Sequence, residues 1–165
     1  MIPLFLGFTT ANLLGLLATA ALGYVSVDQR DLRPYHLLAG VLAAILCVGV
    51  HCVVITYFIA TAKWVQHAVT VKSLDPALAL PTRSFKAMAF PAALGCMTMV
   101  FVAACLGAAH DSYRVSRTWH HLLALASIAV NVAGAAIEYH AISRNGRLID
   151  DILSRIGQDQ PQPSH

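Results

Sequence analysis

Long apolar runs alternate with short polar connections along this chain: Pro3 to Val25, Leu37 to Ala62, Ala87 to Ala109 and Leu122 to Ile142. Each reaches the roughly 20 apolar residues needed to cross the hydrocarbon of a bilayer. The pattern predicts an all-α polytopic membrane protein, an antiparallel four-helix transmembrane bundle, with spans at about 3–25, 37–62, 87–109 and 119–142. These belong to a single domain over 1–156, and residues 157–165 read as a disordered C-terminal tail.

The connections refine that reading. Asp28-Gln29-Arg30-Asp31-Leu32-Arg33-Pro34 is short and polar, which makes the first two helices antiparallel neighbours, with Pro34 suited to the first turn of the second. Lys63, Trp64, Gln66 and His67 extend the second helix past the membrane face, where Trp64 suits the interfacial aromatic belt. Asp75-Pro76 predicts an N-cap and first helical residue of a short interfacial helix ending before Pro81, and Ser84 is the expected cap of the third helix. Pro91 falls in the first turns of that span. Beyond Ile142, the spacing of Leu148, Ile149, Ile152, Leu153 and Ile156 continues the fourth helix as an amphipathic segment. Neither an internal repeat nor a low-complexity block stands out.

Composition agrees with a lipid setting. Of the 165 residues, 58% are apolar and 12% charged, with a mean hydropathy of +0.66, too little polar surface to cover a water-soluble globule. The first span has no basic n-region and an apolar run longer than a secretory h-region, so it reads as a retained helix. Cys47, Cys52, Cys96 and Cys105 all lie within apolar spans without CxxC spacing, which argues against a disulfide framework. Lys63, Lys72, Arg83 and Lys86 in the second connection join Arg144, Arg147 and Arg155 after the fourth span, against Arg30, Arg33, Arg114 and Arg117 elsewhere. The positive-inside rule then places both termini in the cytoplasm of a bacterial inner membrane.

A charged side chain inside a bilayer costs about 2.5–3.5 kcal/mol on insertion scales, so polar residues in the spans need a reason. Asn12, His51, Met97, Met99 and Asn131 reach one depth near the midplane from four different helices. On the fourth helix, His120, Ser127, Asn131, Glu138 and Asn145 share about an 80° arc opposite Leu123, Ile128 and Val132, a stripe that must face protein or water. Asn12, His51, Ser127, Asn131 and Glu138 therefore form a candidate polar seam, whose bland function is interhelical hydrogen bonding. Its sharper function is a cofactor site with His51 and Met97 or Met99 as ligands to haem iron or copper. Glu138 is matched in depth by Lys63, which predicts an ion pair at the inner end. Tyr57, Thr61 and Trp64 share another helical face, read as packing or a subunit contact.

A second cluster gathers at the opposite membrane surface: His36, His110, Asp111, His120 and His121, imidazole and carboxylate groups that suit Cu(II) or Zn(II). No phosphate-binding glycine loop, HExxH motif, GxSxG elbow or nucleic-acid module accompanies them, so no catalytic class is supported. The leading expectation is a small membrane subunit or accessory protein of a larger assembly, a respiratory or redox complex, whose partners are the lipid bilayer and other membrane subunits or further copies of the chain. The rival expectation is a haem- or copper-binding redox protein using His51 or the outer-face histidines. A third is proton or ion conduction along the stripe of helix four.

Overall fold

The computed structural model describes residues 1–113 and 116–158, without the side chains of residues 110–113. Its helices are α1 (Ile2–Val25), α2 (Arg33–Val71), α3 (Pro81–Tyr113) and α4 (Arg117–Gln158), with short 3₁₀ turns at Arg30–Leu32 and Pro76–Ala79. All four helices are long and apolar enough to cross a membrane. They pack as an up-down bundle in which each helix meets its sequence neighbour and α4 closes back on α1. The two hairpin connections, α1 to α2 and α3 to α4, lie at one end, here the hairpin face. The termini and the α2–α3 connection lie at the other, the terminal face.

The amphipathic logic of a soluble bundle is inverted. Leu4, Leu14, Leu38, Ile45, Leu94 and Phe101 point outward and are exposed, whereas Asn12, His51, Ser127, Asn131, Glu138 and Asn145 are buried. A lipid solvent removes any penalty for the first set and forces the second inward. At about 1.5 Å per residue, the 39 residues of α2 run well beyond a hydrocarbon layer of roughly 30 Å. Past the terminal face, Val65, Ala68 and Val69 pack on Ile152 of α4 with Leu74 and Leu78 from the connection, so the amphipathic extension expected of α4 has a partner.

The Asp75 carboxylate caps the Pro76–Ala79 turn by accepting from the Ala77 amide at 2.8 Å. Helix α3 starts at Pro81 rather than at a Ser84 cap, since proline at a helix start gives up no intrahelical bond. It continues through Pro91. Helix α4 runs through Gly157 to Gln158, so these two residues of the expected tail are helical, and 159–165 lie outside the described residues.

The two hairpins correspond at a series of buried positions, a relationship that the hydropathy pattern does not reveal. Cys47 and Asn131 lie 84 residues apart and touch, as do Thr61 and Asn145 at the same interval. Leu16 and Val100, Ala43 and Ser127, Asn12 and Cys96, Phe58 and Ile142, and Phe5 and Ala89 are buried pairs at that spacing. Two hairpins of the same up-down sense are related by a pseudo-twofold axis along the membrane normal. Residues on that axis meet their own counterparts.

Candidate functional site

Two polar centres lie on this axis. The first opens toward the hairpin face as an apolar cavity of about 310 Å³, lined among others by Thr19, Gly23, Arg33, His36, Gly107, Arg117, His120 and His121. His36 on α2 places its Nδ1 3.1 Å from the Thr19 carbonyl of α1, and His120 on α4 places its Nδ1 2.9 Å from the Ala103 carbonyl of α3. The interval is 17 residues in both cases. A carbonyl only accepts, so each Nδ1 carries the proton and each Nε2 is left as a lone-pair donor.

A glycine makes each placement feasible. A Cβ at Gly23 would come 2.8 Å from His36 Cε1, and one at Gly107 would come 2.9 Å from His120 Cε1. The Cε1 end of each imidazole thus packs against bare backbone, and the ring centres stand 6.2 Å apart at an interplanar angle of 71°. His121 adds ring contacts to His120 and to Tyr24, with centres 6.0 and 5.1 Å apart. Arg33 and Arg117 are exposed at this cavity, each three residues before its histidine. Of the five outer-face candidates, His36, His120 and His121 come together, and the side chains of His110 and Asp111 lie outside the described residues. Among the described residues, no group of three or more His, Cys, Asp or Glu side chains is placed to hold a metal ion.

The second centre is the midplane seam. Below the cavity floor, where Leu16, Ala43, Val100 and Ser127 meet, Asn131 Nδ2 donates to the Ser127 carbonyl at 2.8 Å. That bond orients the amide, so Oδ1 faces Asn12 Nδ2 at 3.0 Å, the Cys47 thiol at 3.4 Å and His51 Nε2 at 3.3 Å. The other ring nitrogen of His51 lies 2.8 Å from Glu138 Oε1. His51, Asn131 and Glu138 are all 2% exposed or less. The expected seam of Asn12, His51, Ser127, Asn131 and Glu138 is therefore contiguous.

Two expectations are corrected here. Glu138 pairs with His51 rather than Lys63, which is exposed and makes no ion pair among the described residues. The carboxylate sits on the inward stripe of α4 and Lys63 on the outside of α2; equal depth did not make them neighbours. His51 gives its two ring nitrogens to Glu138 and Asn131, so it has no nitrogen to offer as a ligand beside Met97 or Met99, which are half-buried on α3.

Other functional residues escaped sequence reasoning. Gly23, Gly107, Arg33 and Arg117 carried a usable signal: Ala-x-Leu-Gly followed by Arg-x-x-His occurs at Ala20 to His36 and again at Ala104 to His120. Tyr57 and Thr61 proved to be partners of Asn145, whose Nδ2 donates to both hydroxyl oxygens at 3.0 Å. Searches of protein-family models, curated proteins and solved structures find no match to this chain.

Proposed function

We propose that this protein is a membrane-embedded b-type cytochrome, with one haem held between His36 and His120. The single observation that carries the reading is the 6.2 Å between the two ring centres. An imidazole nitrogen lies roughly 1.1 Å from its ring centre and about 2.0–2.1 Å from a bound transition metal. Two imidazoles holding one metal ion between them would therefore stand about 6.3 Å apart, centre to centre.

The surroundings support the same reading. Metal-ligating histidines characteristically donate the other ring N–H to a carbonyl, as His36 and His120 do to Thr19 and Ala103. Two protein ligands leave an octahedral metal four positions short, and a porphyrin supplies four nitrogens in one plane. The cavity around the pair is mostly apolar, as a macrocycle requires, while Arg33 and Arg117 offer guanidinium forks to a pair of carboxylates at the membrane surface. A bound haem would supply one-electron redox chemistry; His36 and His120 would hold it, the apolar lining would keep water away, and Arg33 and Arg117 would neutralise its carboxylates.

A single haem exchanges one electron at a time and needs a donor and an acceptor outside the chain. This joins the cytochrome reading to the expectation of a small subunit in a redox assembly. The test is an optical spectrum of detergent-purified protein, expressed with haem supply or reconstituted with hemin, before and after dithionite. One low-spin haem per chain is expected, lost in His36→Ala and in His120→Ala and retained in His51→Asn. A folded wild type that takes up no hemin, or one that binds stoichiometric copper or zinc at these histidines instead, overturns the reading.

A further inference from the structure

The His51–Glu138 pair is more than a packing bond, because its hydrogen bonds count its protons. Asn131 Oδ1 can only accept, so His51 Nε2 carries a hydrogen. The 2.8 Å contact from Nδ1 to Glu138 Oε1 then holds one more proton, shared between imidazole and carboxylate, and the pair as a whole is neutral. Among the described residues, Glu138 Oε2 is buried without a hydrogen-bond partner, and so is Asn12 Oδ1 across the seam. A bare carboxylate oxygen in a hydrocarbon interior is expensive and marks a functional position.

The pair is not equally connected to the two faces. Toward the hairpin face, polar groups run from His51 through Asn131 to the Ser127 backbone carbonyl one turn along α4, and Ser127, whose hydroxyl donates to the Ala124 carbonyl, lines the cavity. Toward the terminal face, the polar run breaks at an apolar plug of Phe5, Val54, Phe58, Phe85, Ala141 and Ile142 before Asn145 and Tyr57 resume it. The symmetry of the hairpins also fails here: His51 corresponds to Ala135 and Glu138 to Val54, so only one such pair exists per bundle.

We infer that His51 and Glu138 form a proton-binding site served from the cavity side, which takes up a proton when the cofactor is reduced. The coupling rests on the haem reading; the proton site does not. Reduction of a bound haem by an external one-electron donor would add one negative charge to the interior of the bundle. One proton from water at the hairpin face comes to rest on Glu138 Oε2, leaving a protonated carboxyl beside imidazolium. The added positive charge offsets the added electron inside a low-dielectric bundle, where uncompensated charge is costly. The other titratable groups facing the pair are the thiols of Cys47 on α2 and Cys96 on α3, while α1 presents the neutral Asn12.

The test compares hemin-loaded wild type with Glu138→Gln and His51→Asn, first checking that haem content is equal. In wild type, the midpoint potential is expected to fall as pH rises, and the reduced-minus-oxidised infrared spectrum to gain a carboxyl C=O band that shifts in D₂O. Glu138→Gln should lose the band and flatten the pH dependence, with His51→Asn altering both. In vesicles of known orientation, the potential should follow the pH on the hairpin side. An unchanged slope and band in Glu138→Gln overturns the inference, as does a potential that follows the terminal side. Should hemin not bind, the cytochrome reading fails, and the haem-free protein decides the proton site. A carboxyl band that grows on acidification and vanishes in Glu138→Gln upholds the site; its absence from wild type refutes it.

Discussion

Cys47 and Asn131 occupy the same position in the two hairpins, 84 residues apart, and meet across the bundle with the thiol donating to the amide oxygen at 3.4 Å. Their counterparts in the outer helices, Asn12 on α1 and Cys96 on α3, reverse the order, so one layer holds two amides and two thiols. Asn131 is the hub of that layer, accepting from Asn12, Cys47 and His51 and donating to Ser127. Replacing it with leucine strands the Asn12 and His51 N–H groups, a loss of about 1–3 kcal/mol. Cys47→Ala removes only a weak donor and a small volume and should cost less than Asn131→Leu. Equilibrium unfolding in mixed micelles measures both, and equal effects would remove Asn131 from its central role.

The cavity makes a prediction through its glycines. Alanine at Gly23 or Gly107 puts a methyl carbon under 3 Å from an imidazole edge, which must turn away and surrender its Nδ1 bond to Thr19 or Ala103. Haem occupancy should fall several-fold in each variant and further in the pair, with helix content retained. Gly49→Ala, where nothing lies within 4 Å, is the matched control. Haem-to-protein ratios from absorbance check it; full occupancy in the double variant would show that the histidines need no such cradle.

Charge at the two cavity arginines gives a separate outcome. Arg33→Leu with Arg117→Leu leaves both axial histidines in place but removes the cations suited to the cofactor's carboxylates. Exposed ion pairs contribute about 0–1 kcal/mol each, so hemin affinity should drop by at most roughly thirtyfold for the pair, without a change in the histidine ligation. Titration with hemin, followed in the Soret region, separates affinity from ligation. A switch to a high-spin spectrum would mean that these arginines position the ligands instead.

The fold and the site differ in how far the sequence discloses them, because they use different kinds of information. The spans and the α4 stripe are periodicities along one chain, so the sequence alone places Ser127, Asn131 and Glu138 on an inward face. Periodicity says nothing about which residue of another helix lies opposite. Lys63 matched Glu138 in depth, yet the two sit on different sides of their helices, and His51 took the carboxylate instead. The duplication stayed hidden because counterparts such as Val54 and Glu138, or Leu16 and Val100, share burial more than identity. The diagonal approach of α2 and α4, which brings His36 to 6.2 Å from His120, is a property of the closed bundle alone.

Lys63 supplies a prediction by its irrelevance. As an exposed residue with no ion pair among those described, Lys63→Gln should change stability by no more than about 0.5 kcal/mol. Glu138→Leu leaves His51 Nδ1 facing hydrocarbon and should cost several times more, in keeping with the loss of one partner of a buried pair. The same unfolding assay ranks them. A Lys63→Gln effect as large as that of Glu138→Leu would revive the inner-face ion pair.

Helix α4 packs tightly on α3 at Gly134, where an added Cβ would overlap the Cys96 sulfur. Cys96 is fully buried and its thiol donates to the Val130 carbonyl at 3.4 Å, so the sulfur has little freedom to retreat. Gly134→Ala should therefore destabilise by about 1–3 kcal/mol through overpacking, against the mild helix-favouring effect of alanine elsewhere. Because the obstacle is one sulfur atom, Cys96→Ala should recover most of that loss when combined with Gly134→Ala. A double-mutant cycle on unfolding free energies isolates the coupling, expected at about 1 kcal/mol or more in the rescuing direction. Simple additivity would place the strain elsewhere, the Ala92 carbonyl 3.8 Å from the added carbon being the next atom in line.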